Sequence, residues 1–87
     1  MTLTDDDYRE LAAQCAVQDF GRVERNDEMV HVRVDTYVEY DQHELSLTGG
    51  HIPVYAEVYV TNVFCDEDTE VDTARIEEEV FNILMQY

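Results

Sequence analysis

The sequence predicts a two-layer α+β domain, with two helices on one face of a sheet of two or three antiparallel strands in the order helix, strands, helix. Three observations carry this. Apolar residues recur at helical spacing near both ends, they alternate with a period of two through the middle, and 87 residues suffice for one hydrophobic core. Residues 1–87 therefore read as a single small acidic domain.

The first helix begins at Thr4-Asp5-Asp6-Asp7: a threonine can accept from the free N–H groups of the first turn, and aspartates there complement the positive end of the helix dipole. Tyr8, Leu11, Ala12, Cys15 and Ala16 then form one apolar stripe, Arg9, Glu10, Gln14 and Gln18 face water, and Gly21 offers a stop. Phe20 to Arg25, with Asn26-Asp27 as turn residues, is the optional third strand of the sheet, and only Val23 supports it strongly. From Met29 to Tyr40 the period changes to two, with Val30, Val32, Val34, Thr36, Val38 and Tyr40 on one side and His31, Arg33, Asp35, Tyr37 and Glu39 on the other.

A further strand places Ile52, Val54, Ala56, Val58, Val60 and Phe64 opposite Tyr55, Glu57, Tyr59, Thr61 and Val63, so the even-numbered sides face the core. Between the long strands, Leu45 and Leu47 can extend the pairing and Gly49-Gly50 can reverse the chain. Charge favours a register with Arg33 opposite Glu57, because Asp35 there would oppose a like charge. The last helix is expected to start near Asp68 to Asp72, with Thr69-Glu70-Val71-Asp72 as a capping-box-like entry. Ile76, Val80, Phe81, Ile83, Leu84 and Tyr87 supply its apolar stripe.

The charge constrains partners more than chemistry. The formal net charge is −16, and lysine is absent: the cations are Arg9, Arg22, Arg25, Arg33 and Arg75 against 21 carboxylates. Such a field repels nucleic acid and anionic membrane, so direct binding to either is not expected. At 45% hydrophobic residues the chain is nevertheless too apolar for a disordered acidic tail. No apolar run is long enough for a membrane span, and Met1 to Asp7 is acidic where a signal peptide is basic. A cytoplasmic location, of host or source cell, is expected. Cys15 and Cys65 lack C-x-x-C spacing and read as buried free thiols.

Each candidate site has a plainer structural reading. Asp66-x-Asp68-x-Glu70-x-Asp72 with Glu77 at the twelfth position resembles the spacing of an EF-hand calcium loop, but Val71 stands where that turn requires glycine. An acidic helix entry is the plainer reading. His31, His43 and His51 are spaced wrongly for a local zinc site. No metal or cofactor is expected. Asp35, Glu39 and Glu57 beside Tyr37, Tyr55 and Tyr59 contain the groups for acid–base chemistry, but a flat sheet face has no pocket to raise a carboxylate pKa, so no catalytic residues are expected.

The same six residues read better as a protein-interaction surface, since tyrosine joins large contact area to a hydroxyl that tolerates water. A non-enzymatic interaction module or accessory subunit, binding a protein partner that is basic or a second copy of itself, is the leading expectation. Two alternatives explain the charge differently. An acidic nucleic-acid mimic would occupy the groove of a basic nucleic-acid-binding protein, and in size and bulk charge alone the chain resembles phage inhibitors of restriction or CRISPR complexes. Adaptation to a high-salt cytoplasm would make the acidity a matter of solvation.

Overall fold

The computed structural model describes residues 1–41 and 52–86. They form α1 (Asp5–Gln18), β1 (Phe20–Arg25), β2 (Glu28–Asp41), β3 (Ile52–Phe64) and α2 (Thr73–Leu84). The strands make one antiparallel sheet in the order β1-β2-β3, flanked by the two helices. The expected two-layer α+β architecture is the one observed, and Phe20–Arg25, which the sequence leaves open, forms the third strand. Leu45, Leu47, Gly49, Gly50, His43, His51 and Tyr87 lie outside the described residues.

Helix α1 starts as its composition demands. Thr4 Oγ1 accepts from the Asp7 amide at 3.2 Å, and the Asp7 carboxylate accepts from the Thr4 amide at 2.8 Å, closing a capping box. Its end differs from expectation. Asp19, at φ 67°, adopts the left-handed conformation and donates its N–H to the Cys15 carbonyl at 3.0 Å, so Asp19 stops the helix and Gly21 does not. Gly21 lies inside β1, where a Cβ would stand 2.8 Å from the Leu11 carbonyl oxygen. Glycine is required there because the strand backbone runs against the helix backbone.

Gln14 does not simply face water. Its side-chain amide donates to the Arg22 carbonyl and its oxygen accepts from the Arg22 amide, each at 3.0 Å, so it serves the free edge of β1 as a strand partner would. Asn26 and Asp27 have φ of 51° and 67°, the paired left-handed residues of a tight hairpin, which matches strand twist and puts Arg25 opposite Glu28.

The β2–β3 register departs from the charge-based expectation. Glu57 lies opposite Tyr37, and Arg33 lies opposite Asn62. Two irregularities set this frame: Thr61 and Val54 are extra residues on β3, between the partners of Arg33 and Val34 and between those of Glu39 and Tyr40. Each bulge shifts which residues face inward. Val63 turns to the core side and Phe64 to the outer face, where it is exposed, while Pro53 is buried and Val54 is 55% exposed. Between the bulges the alternation holds.

One core joins both layers. Leu11, Cys15, Val30, Val32, Ile76 and Val80 are fully buried, with Tyr8, Ala12, Val23 and Val34 around them, so both helices cover the face carrying the even-numbered residues of β2. Helix α2 begins later than expected. Asp72 is its N-cap, accepting from the Arg75 amide at 3.1 Å, and the first turn holds no carboxylate. Asp66 to Glu70 precede the helix, with a turn closed by the Thr69 amide on the Asp66 carbonyl at 3.0 Å. Phe81 and Ile83 lie at the exposed margin of the stripe. Both cysteines are free thiols, but Cys65 is exposed instead of buried. No described helix is long and apolar enough to cross a membrane.

Candidate interaction surface

The sheet face away from the helices gathers all six residues expected to form a surface. The register sets them in three cross-strand pairs, Asp35 with Tyr59, Tyr37 with Glu57 and Glu39 with Tyr55. Each tyrosine thus sits opposite a carboxylate, and tyrosines lie on the diagonals. Tyr37 and Tyr55 meet edge to face at 6.4 Å between ring centroids. Their hydroxyls donate along their own strands: Tyr37 to Glu39 Oε1 at 2.7 Å, and Tyr55 to Glu57 Oε1 at 2.5 Å.

These bonds hold the phenolic protons. The Glu39 carboxylate raises the Tyr37 pKa above the ordinary tyrosine value, and the Glu57 carboxylate, with smaller contributions from desolvation and neighbouring charges, pushes Tyr55 up to about 12. Both tyrosines are neutral donors at physiological pH. The rings remain open: Tyr37, Tyr55 and Tyr59 are 51%, 45% and 56% exposed.

Sequence reasoning did not single out the other end of this face. His31 lies between Phe20 and Phe64, with ring centroids 5.7 and 6.0 Å away. The β2 alternation signals His31 and Arg33 there, but Phe20 arrives through the β1 register and Phe64 through the Thr61 bulge. Four of the five arginines are ion-paired: Arg9 with Asp6, Arg22 with Glu24, Arg25 with Asp7, and Arg75 with Asp5 and Glu79. Among the described residues Arg33 alone of the five forms no ion pair. It borders an open cleft of about 450 Å³ where β1 begins, together with Asp19, Asp35 and Asn62.

Glu77, the twelfth position of the calcium-loop spacing, accepts from the Val60 amide at 2.9 Å, and so is directed at β3. Among the described residues no three His, Cys, Asp or Glu side chains are placed to hold a metal ion. The fold and surface define a small two-layer α+β domain whose second sheet face is uncovered among the described residues. No family model, no curated protein and no solved structure matches the chain.

Proposed function

We propose that the protein is a non-enzymatic interaction module that binds a protein partner through the outer face of its sheet. One observation carries this reading: Tyr37, Tyr55 and Tyr59 stand half exposed on adjacent strands, interleaved with Asp35, Glu39 and Glu57, on the face that the two helices leave open. Two of these tyrosines are already oriented by hydrogen bonds to carboxylates of the same surface. Little further rotamer freedom is then lost on docking, and that loss is one of the main terms opposing association. Tyrosine is enriched among the few residues that carry most of the binding energy at protein interfaces.

The test is affinity capture from a lysate of the source organism, at low and high salt, with the wild type and with a Tyr55→Glu/Tyr59→Glu variant whose fold is checked by circular dichroism. A protein retained by the wild type and lost by the folded variant supports the reading; equal retention by both overturns it. If the retained protein instead binds nucleic acid and is released by duplex DNA and by salt, the acidic-mimic reading replaces it.

A further inference from the structure

The outer face changes character along the strands. At one end stand Phe20, His31 and Phe64 with the unpaired Arg33; at the other stand the three tyrosines with Asp35, Glu39 and Glu57. The division falls between Arg33 and Asp35, which are two residues apart on the central strand and therefore share the face. A surface that is aromatic and cationic at one end and aromatic and anionic at the other is complementary to itself when one copy is reversed.

Resting on the interaction-surface reading above, we infer that the occupant of this face is a second copy of the chain, docked about a twofold axis that crosses the strands between residues 33 and 35. A twofold in the interface plane and perpendicular to the strands reverses strand direction, so β2 lies over β2 and the contact is isologous. Arg33 of each copy then meets Asp35 of the other, and the pair occurs twice. His31 of each copy falls near Tyr37 of the other, and Phe64 falls over Glu57 between Tyr55 and Tyr59, which sets the His31 and Phe64 rings against the tyrosines. Arg33, which forms no ion pair among the described residues, acquires a carboxylate, and the guanidinium supplies the planar geometry that lysine lacks.

The footprint limits the affinity. From Met29 to Glu39 the central strand runs about 33 Å, and two to three strands are about 10–14 Å wide, so the two copies together bury on the order of 700–900 Å². Such an interface is small, and the net charge of −16 on each copy opposes it. The dimer should therefore be weak, micromolar or weaker, and should tighten as salt rises from about 10 mM to 150 mM, where long-range repulsion is screened sooner than a contact pair.

Sedimentation velocity at concentrations up to about 1 mM tests this. Arg33→Asp and Asp35→Arg should each weaken self-association at least about tenfold, through a like-charge contact in each case. An equimolar mixture of the two single variants restores both opposite-charge contacts, as does the double exchange Arg33→Asp/Asp35→Arg, and each should return association to within about threefold of wild type. Bulk charge predicts otherwise: Arg33→Asp makes the chain more negative and Asp35→Arg less so, and they should then act in opposite directions. Tighter association of Asp35→Arg, or a dimer indifferent to both exchanges, overturns the inference. So does a wild type that stays monomeric throughout, an outcome that leaves the capture experiment above to decide separately whether this face binds a different protein.

Discussion

Replacing Gly21 with alanine tests the closest approach in the fold. An added Cβ would stand 2.8 Å from the Leu11 carbonyl oxygen, 3.2 Å from Leu11 Cα and 3.3 Å from Cys15 Sγ. Carbon–oxygen contacts below about 3.2 Å are repulsive, and the two nearest obstacles are helix backbone, which no rotamer change removes. Helix α1 would have to lift off β1, disturbing Leu11, Ala12 and Cys15, all fully buried. Overpacking of this kind costs about 1–3 kcal/mol, while loss of chain freedom in the unfolded state favours alanine by about 0.4–1 kcal/mol. The net expectation is a destabilisation of about 1–2 kcal/mol, which for a domain of this size lowers Tm by roughly 5–15 °C. Thermal and urea unfolding followed by circular dichroism measure it. Adding Cys15→Ala should not restore stability, because the shortest contact is with backbone. A Tm equal to or above wild type would falsify the close-approach argument, since it would mean that the unfolded-state term alone decides the outcome.

Two further predictions concern protonation and thiol access. The Tyr55 pKa is raised to about 12 chiefly by its hydrogen bond to Glu57, so spectrophotometric titration of Glu57→Gln should show one tyrosine ionising nearer to the ordinary value of about 10. The sign of the linkage follows: a raised folded pKa means that this group's contribution to stability is fully present below about 10 and is lost as pH rises through about 12. An unchanged titration in the variant would remove Glu57 as the cause. Cys15 is buried with its pKa raised to about 11 by desolvation, whereas Cys65 is exposed. A thiol-specific chromogenic reagent should therefore modify one cysteine rapidly in the native protein and the second only on unfolding; two fast equivalents would contradict the packing of α1 on β1.

The legible parts of this fold share a physical reason. Thr4 with Asp5 to Asp7, the valine alternation of β2 and the Asn26-Asp27 turn act locally, within a few residues of the structure they specify. The parts that were not legible depend on partners distant in sequence. Val54, Val63 and Phe64 all suit either face of a strand, so the alternation conceals both bulges, and the register follows those bulges instead of the charge of Arg33 and Glu57. The start of α2 was ambiguous for a different reason: Thr69 and Asp72 are both competent caps, and tertiary contact selects Asp72, whose amide donates to the Tyr8 hydroxyl at 3.0 Å. The six-residue surface was legible because the stretch between the bulges keeps strict alternation. Its cationic, aromatic neighbour was not, because it is assembled from three strands.

The arginines show how a chain this acidic assigns its few cations. Arg25 reaches from the β1–β2 hairpin to Asp7 at 2.8 Å, and Arg75 reaches from α2 to Asp5 at 2.7 Å while its guanidinium lies 4.4 Å above the Tyr8 ring. Two aspartates in the first turn of α1 thus do more than complement the helix dipole; they tie that helix end to the sheet and to the other helix. The Asp5 carboxylate is held below its ordinary pKa by Arg75, so this tie is in place at neutral pH and is released only in acid. Arg9 and Arg22 are paired with carboxylates on their own elements. In so acidic a chain an arginine that forms no ion pair among the described residues is conspicuous, and Arg33 holds that position near the centre of the open face. In the self-docking arrangement inferred above, this cation meets Asp35 of the reversed copy, a role that a solvated sheet face would not give it.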